Sequence, residues 1–220
     1  MNSIIMNKIH HGDCLIAMKQ IPDKYFDLVL TDVPYNVGKE YGVYKDNLSD
    51  FDYINWLGNV IFQLKRISRE QIIYPSKKYF LETWNILGKE FQQLVFTTST
   101  SGSLRYGHSN QFSSILVSDH SPIGRAPNHY HNVPMPHDGF IFHENKYDHP
   151  GYTSMALTKL LLKTYARKTY TVFDPFMGTG TTAVVCAEFG LEWSGCEIDA
   201  KWIEVANKRL SAIQPDMFGV

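Results

Sequence analysis

Short apolar segments, typical of buried strands, alternate along this chain with stretches whose apolar residues recur at helical spacing. The predicted strands cover residues 26–30, 71–74, 94–97, 112–117, 170–173 and 192–196. The predicted helices cover residues 53–67, 79–87, 155–165, 181–189 and 201–213. Because strands alternate with helices, the pattern predicts an α/β domain with a mostly parallel sheet.

The regular pattern breaks down between residues 120 and 150, where proline, histidine and asparagine replace most of the aliphatic residues. A length of 220 residues fits one domain. We therefore expect a single domain over 1–220 that carries a short irregular insertion at about 105–148.

Charge and composition narrow the function classes. The chain has 21 Lys and Arg and 22 Asp and Glu, for a formal net charge of −1. This balance excludes a histone-like mode of nucleic-acid binding but allows a local basic groove, because a field depends on how the charges are distributed. The three cysteines show no metal-ligand spacing, and their small, odd number makes a disulfide framework improbable. This use of cysteine is typical of a protein in the reducing cytoplasm. No segment approaches the roughly 20 apolar residues of a membrane span, so we expect a cytoplasmic protein without a membrane partner.

A glycine-rich turn follows the strand predicted at 170–173. Residues 174–182 read Asp-Pro-Phe-Met-Gly-Thr-Gly-Thr-Thr and lead into a helix. Gly178 and Gly180 allow the backbone to turn sharply and to approach a ligand closely. After the next strand, Glu197 is placed to accept the hydroxyl hydrogens of a ribose. Together these features predict a nucleoside-cofactor site.

Two kinds of nucleoside cofactor fit this pattern. A dinucleotide fits the glycine spacing, but only one helix follows the unit, so its second half would have to come from upstream. S-adenosylmethionine needs one such half and one carboxylate, and it fits better. A nicotinamide-dependent oxidoreductase remains the alternative.

A second loop carries polar and aromatic residues directly after the strand predicted at 26–30. Residues 32–35 read Asp-Val-Pro-Tyr. Loops at the carboxyl ends of parallel strands line one crevice, so this loop can face the glycine-rich turn. A carboxylate at Asp32 can accept an amino hydrogen while Tyr35 stacks on a planar ring. The alternative is a strand-end turn with Tyr35 packed on the core.

The order of these motifs resembles the permuted, or beta-class, DNA amino-methyltransferases, in which the catalytic loop precedes the cofactor loop. The family's catalytic motif, Asp/Asn/Ser-Pro-Pro-Tyr/Phe, is matched by residues 32–35, and its cofactor motif by 174–182. The Gly-Asp-Cys at 12–14 resembles the family's opening, whose Asp lies beside the cofactor adenine. The resemblance covers residues 8–38 and 149–210.

The resemblance implies a Rossmann-like methyltransferase fold with helices on both faces of the sheet and a circularly permuted motif order. It implies a catalytic group formed by Asp32, Val33, Pro34 and Tyr35. It implies a cofactor-binding group formed by Asp13, Cys14, Asp174, Phe176, Gly178, Gly180, Thr181, Thr182, Glu197 and Ile198. The implied reaction is direct methyl transfer from S-adenosylmethionine to the exocyclic amino group of a base flipped out of double-stranded DNA, in a cytoplasmic protein of a bacterium or of a virus acting in its host.

Two positions depart from the family pattern. Val33 replaces the first proline, but the position is thought to contribute its backbone carbonyl, which valine also supplies. Residues 149–154, His-Pro-Gly-Tyr-Thr-Ser, lack the lysine and second proline of the family's His-Pro-Thr-x-Lys-Pro segment. This difference affects the contacts that the segment makes to the cofactor.

An Asp at the first catalytic position favours adenine N6 over cytosine N4, although both bases present a similar amidine edge. A cytosine-N4 methyltransferase is therefore one alternative. A catalytically inactive nucleic-acid-binding subunit that keeps the fold is another, and the two departures permit it.

Recognition of flanking sequence is expected from the insertion at 105–148, whose only cations are Arg105, Arg125 and Lys146. The alternative is a structural loop. So short a region predicts few specified bases or the help of a second copy of the chain, as in a homodimer.

Cations outside the insertion are candidates for phosphate contacts, namely Lys39, Lys77 and Lys78. The pair His129 and His131, with His137, lacks a second clear ligand pair. We therefore expect no metal site.

Overall fold

The computed structural model describes residues 4–41, 43–97, 112–118 and 153–213. The strands are β1 (Lys8–His11), β2 (Phe26–Asp32), β3 (Glu40–Tyr41), β4 (Tyr44–Lys45), β5 (Ser68–Tyr74), β6 (Phe91–Thr97), β7 (Phe112–Ser118), β8 (Thr171–Asp174) and β9 (Glu192–Glu197). The helices are α1 (Cys14–Met18), α2 (Asp50–Ile67), α3 (Phe80–Leu87), α4 (Met155–Tyr165), α5 (Thr181–Glu188) and α6 (Ala200–Ser211).

Seven strands form one sheet in the order β1-β9-β8-β2-β5-β7-β6. The first five run parallel to one another. Strand β7 runs antiparallel to both β5 and β6, and β3 and β4 form a separate antiparallel hairpin. The prediction of a mostly parallel α/β sheet is confirmed.

Helices cover both faces of this sheet. Buried side chains of α4, α5 and α6 pack on one face in a cluster that includes Leu30, Leu161 and Val185. Buried side chains of α1, α2 and α3 pack on the other face in a cluster that includes Phe26 and Leu57. Because β2 contributes to both clusters, its carboxyl end is held from both sides.

Every strand and helix predicted from the sequence is present. The pattern missed β1, α1 and the β3–β4 hairpin. Strand β1 is four residues long and its burial alternates only weakly, and α1 has a single turn and a half. Segments of this length carry too few residues for a periodic signal.

The insertion predicted at 105–148 contains β7, and its remaining residues lie outside the described ones. The predictions for its arginines, lysine and histidines therefore fall outside the described residues. Within those that the structure describes, no helix is long and apolar enough to cross a bilayer. All three cysteines are buried and unbridged.

Gly180 provides a test of how α5 meets α6. Its φ is 81°, and an added Cβ would lie 2.6 Å from the Cβ of Ala206. We expect Gly180→Ala to lower the free energy of unfolding by about 2–4 kcal/mol, because it adds both a clash and left-handed backbone strain. Urea unfolding followed by circular dichroism measures the change.

Gly58→Ala is the matched control, since nothing lies within 4 Å of an added Cβ at that position of α2. We expect this variant to gain up to about 1 kcal/mol, because alanine restricts the unfolded chain. Equal losses in the two variants would contradict the assigned packing.

Candidate active site

A cavity lies at the carboxyl ends of the parallel strands. Every residue predicted for the site, except Gly180, contributes to its wall. The catalytic-loop candidates at its wall are Asp32, Val33, Pro34 and Tyr35. The cofactor-site candidates at its wall are Asp13, Cys14, Asp174, Phe176, Gly178, Thr181, Thr182, Glu197 and Ile198. The two loops, remote along the chain, therefore share one cavity, whereas Gly180 packs against α6.

Asp174 joins the two loops. Its Oδ1 accepts hydrogen bonds from Thr31 Oγ1 (2.8 Å) and from the amide of Phe176 (3.0 Å). Its Oδ2 accepts from Thr182 Oγ1 (2.7 Å). Burial raises the pKa of this carboxyl to about 6, and the charge of Glu197 adds to the increase while the three donors oppose it. Asp174 therefore connects the end of β2, the glycine-rich turn and α5.

Glu197 is fixed at the end of β9 by backbone donors. Gly178, at a φ of 52°, donates its amide to Glu197 Oε2 (2.7 Å). The amide of Asp199 donates to Oε1 (2.9 Å). Burial raises the pKa of this carboxyl above its usual range. The carboxylate thus has one orientation, at the wall of the cavity.

The turn after β1 enters the same cavity. The amide of Gly12 donates to the carbonyl of Glu197 (2.9 Å), which ties the turn to β9. Asp13 caps α1 by accepting from the amide of Leu15 (2.7 Å). Cys14 is buried, and burial raises the pKa of its thiol, so the thiol stays neutral.

The catalytic-loop candidates are held through their backbone. Tyr53 Oη donates to the carbonyl of Pro34 (2.7 Å), and Ser76 Oγ donates to the carbonyl of Tyr35 (2.9 Å). The Val33 side chain is only 2% exposed and packs in the apolar cluster on the α1–α3 face. Valine at this position is therefore accommodated in the apolar packing next to the loop.

Asp46 holds the backbone that follows the loop. Its carboxylate accepts from the amides of Asn36 (2.7 Å), Val37 (2.9 Å) and Lys39 (3.2 Å). Asp46 is 1% exposed, and Asn36 has a φ of 54°. This clamp fixes the hairpin against the loop, so that Tyr44 also reaches the cavity wall.

Asp32 differs from Asp174 and Glu197 because one of its two oxygens meets no donor in the described part of the chain. Its Oδ2 accepts from Thr153 Oγ1 at 3.3 Å. Its Oδ1 is buried and has no hydrogen-bond partner in the described part of the chain. Burial raises its pKa to about 7, with a further increase from Asp174, against the lowering effects of Tyr35, Thr153 and Lys39. Near neutral pH this group therefore populates both protonation states.

Several residues of the cavity wall were missed by the sequence reasoning: Leu30, Tyr44, Trp56, Tyr74, Thr153, Thr158 and Trp202. Tyr74 had a signal, because it ends a predicted strand of a parallel sheet and such ends line the crevice. Thr153 lies in the segment that departs from the family. Tyr44 lies in the β3–β4 hairpin and Trp56 on α2. The hydrophobic pattern of the sequence does not show that either residue faces the cavity.

The sequence model of the DNA methylase family matches residues 68–208. The chain belongs to this family. Among its relatives, the DNA adenine methyltransferase YhdJ of Escherichia coli (strain K12) is 25% identical over 243 residues, which cover 92% of this chain and 82% of YhdJ.

Solved structures share the fold of this DNA methylase. The complex of M1.HpyAVI with SAM matches with a TM-score of 0.62 and 20% identity, over 92% of this chain and 98% of that one. The cytosine-N4-specific PvuII DNA methyltransferase matches with a TM-score of 0.68 and 13% identity, over 96% of this chain and 88% of that one. The Rossmann-like methyltransferase fold is thereby confirmed.

The hydrogen bond from Thr153 provides a test of the environment of Asp32. The hydroxyl of Thr153 donates to Asp32 and stabilises its charged form. Because Thr153→Val removes this donor, we expect the variant to raise the pKa of Asp32. Carbon-13 NMR of the side-chain carboxyl, assigned with an Asp32→Asn sample, should show a titration near pH 7 in the wild-type protein and at higher pH in the variant.

Thr153→Ser keeps the donor, so Asp32 should titrate in this variant as it does in the wild-type protein. Identical titrations of Asp32 in all three proteins would contradict the assigned hydrogen bond.

The raised pKa of Asp32 also affects stability. The folded-state pKa lies above the ordinary 3.8, so the folded protein binds the proton more tightly than the unfolded chain does. The contribution of Asp32 to stability is therefore present at low pH and decreases as the pH rises from about 4 to 7.

Proposed function

We propose that this DNA methylase transfers a methyl group from S-adenosylmethionine to N6 of adenine at specific sites in double-stranded DNA. One observation carries the proposal. Asp32 Oδ1, which meets no hydrogen-bond donor among the described residues, lies in the same cavity as the fixed carboxylate of Glu197 and the glycine-rich turn. A methyl donor and an amino group can therefore meet there.

The residues of the cavity fit S-adenosylmethionine. The Glu197 carboxylate, oriented by two amides, has lone pairs left to accept both ribose hydroxyls. Asp13, Cys14 and Ile198 line the wall beside it, where the cofactor adenine would lie. The carboxylates of Asp32, Asp174 and Glu197, all at the wall of the cavity, favour a ligand that carries positive charge. When bound, the cofactor supplies a methyl group on a positively charged sulfur.

Asp32 would act directly on the target amino group. Its Oδ1 accepts one amino hydrogen and the Val33 carbonyl accepts the other, which favours a tetrahedral nitrogen with an available lone pair. That nitrogen would bond to the methyl carbon as the sulfur–methyl bond breaks and leaves its electron pair on a neutral sulfur. The Asp32 carboxylate would stabilise the positive charge that develops on the nitrogen. The nitrogen then loses a proton, which Asp32 can accept because its pKa is about 7.

Tyr35 would hold the base once it has left the duplex. The amino group is inaccessible inside the duplex, so the base must be flipped out, and the Tyr35 ring then stacks on it. Lys39 Nζ lies 5.5 Å from the centroid of this ring. Its positive charge would therefore lie beside the proposed position of the base, where it would attract a DNA phosphate. Lys78, another candidate for a phosphate contact, is paired with Asp50 at 2.9 Å.

Asp32 at the first catalytic position supports adenine over cytosine, as does the relative YhdJ by its name. The packing of Val33 supports an active enzyme over an inactive subunit, because valine is accommodated without opening the loop. We also propose that the chain is a single catalytic domain whose residues 105–148 recognise flanking bases, with a second copy assisting.

Base-resolved sequencing of DNA from methylation-deficient bacteria that express this chain tests the proposed function. We expect N6-methyladenine at one short sequence. N4-methylcytosine would replace the adenine proposal by the cytosine alternative. DNA without modification would support the inactive subunit.

Glu197→Gln tests the cofactor site. We expect it to weaken binding of S-adenosylhomocysteine about tenfold or more, because an amide replaces one acceptor of the ribose hydroxyls and loses the charge. Isothermal titration calorimetry measures the affinity. Glu192→Gln, at the exposed start of the same strand, is the control and should bind normally. Normal binding in both variants would exclude Glu197 as the ribose acceptor.

Asp32→Asn tests the catalytic role. We expect the methylation rate to fall by about a thousandfold or more, because the charge that stabilises the transition state is lost. Binding of S-adenosylhomocysteine should change by less than about threefold, since Asp32 is assigned to the base. Asp23→Asn, a 75%-exposed carboxylate whose surface pair with Arg66 contributes little, is the control. Substantial turnover by Asp32→Asn would refute the assigned mechanism.

A further inference from the structure

We propose that the Tyr74 hydroxyl donates a hydrogen bond to the ring nitrogen next to the amino group of the target base. Asp32 and Tyr74 would then read the amidine edge of that base together, one as acceptor and the other as donor. This inference rests on the proposed function, and it adds a residue that neither the motifs nor the family resemblance singled out.

Tyr74 has an unexplained polar atom. The residue is 7% exposed, lines the cavity, and its Oη has no hydrogen-bond partner in the described part of the chain. A buried hydroxyl without a partner is costly, and most buried polar groups in proteins have one. Since phenylalanine would fill the same volume without this cost, the hydroxyl is best explained by a ligand that occupies the cavity.

The nearby groups of the protein do not supply that partner. Thr158 on α4 lies close to Tyr74, and its hydroxyl donates to the Ser154 carbonyl (2.9 Å) and keeps lone pairs that could accept. Its position relative to Tyr74 Oη does not meet the geometry of a hydrogen bond, and Oη has no partner in the described part of the chain. Burial and the charges of Asp32 and Asp174 hold the pKa of Tyr74 well above its usual range. The phenol therefore stays protonated and keeps a hydrogen to donate.

Sheet register places Tyr74 beside Asp32. The two residues are direct partners in the parallel pair of β2 and β5, so their side chains leave the sheet on the same face from strands about 4.8 Å apart. Along the sheet the order is β9, β8, β2 and β5. Tyr74 therefore lies on the opposite side of Asp32 from the ribose acceptor Glu197, which is where the base belongs if the methyl group is to reach its nitrogen at Asp32.

The chemistry of the two side chains matches one edge of the base. The amidine edge of adenine presents an amino donor next to a ring-nitrogen acceptor, N1. The Asp32 carboxylate accepts from the amino group, and the Tyr74 hydroxyl donates to N1. This pair would also orient the amino nitrogen, because two adjacent contacts fix the base in its own plane, in addition to the stacking on Tyr35.

The test uses one duplex in two forms, with adenine or 1-deazaadenine at the methylated position found by sequencing. The analogue replaces N1 by a carbon and keeps the amino group. The wild-type protein, Tyr74→Phe and the control Tyr25→Phe, a 45%-exposed tyrosine, are compared by kcat/KM on both duplexes. Calorimetry with S-adenosylhomocysteine gives the cofactor affinity of each protein without any turnover.

We expect the wild-type protein and Tyr25→Phe to prefer adenine over the analogue about tenfold, the usual effect of losing a partner for a buried donor. Tyr74→Phe should be slower on adenine and should show no preference, with unchanged cofactor affinity. Any easier flipping of the analogue is common to all three proteins and cancels in the comparison.

A purely structural role of Tyr74 would slow both substrates equally and keep the preference, which would overturn the inference. If Tyr74→Phe bound the cofactor more weakly and still preferred adenine over the analogue, the inference would also be overturned. The hydroxyl would then contact the cofactor and not the base. Failure of the wild-type protein to methylate adenine would refute the proposed function, and the inference with it. Loss of the inference alone would leave the proposed function intact.

Discussion

The hydrogen bond between Thr31 and the buried carboxylate of Asp174 is the interaction on which the site depends. It joins the end of β2, which carries the catalytic loop, to the end of β8, which carries the glycine-rich turn. The same carboxylate accepts hydrogen bonds from the hydroxyl of Thr182 on α5 and from the amide of Phe176. Together with the parallel pairing of β2 and β8, the hydrogen bond from Thr31 holds two loops separated by more than a hundred residues of sequence at one cavity. Three donors offset much of the cost of burying this charge.

Three carboxylates at the cavity wall, those of Asp174, Glu197 and Asp32, differ in how many of their oxygens accept a hydrogen bond from the protein. Asp174 accepts from three donors and organises the fold around the cavity. Glu197 accepts from two amides that orient it. Asp32 Oδ2 accepts from Thr153, whereas Oδ1 has no hydrogen-bond partner in the described part of the chain. This order matches the structural position of Asp174 and the roles proposed for Glu197 in binding and for Asp32 in catalysis. Burial raises the pKa of all three carboxyls. A positively charged ligand would offset the repulsion among them.

The sequence was sufficient for the sheet, the helices and the meeting of the two loops, because these depend on periodicity and on the general placement of strand ends in parallel sheets. It was less informative about what each residue does there. Gly180 belongs to the packing of α5 on α6, since its left-handed backbone and the contact with Ala206 depend on tertiary structure. The hydroxyl of Tyr74 carries no periodic or spacing signal. That it has no hydrogen-bond partner among the described residues is visible only in three dimensions. The roles of residues 105–148 remain predictions.

The central claim is that the glycine-rich turn and the catalytic loop hold a methyl donor and its target in one cavity. A crystal structure of the protein with S-adenosylhomocysteine tests it most directly. We predict the ribose on Glu197, the adenine beside Asp13 and Ile198, and the sulfur facing the unpartnered oxygen of Asp32. A ligand bound at another face of the sheet, or with its sulfur turned away from Asp32, would contradict the account.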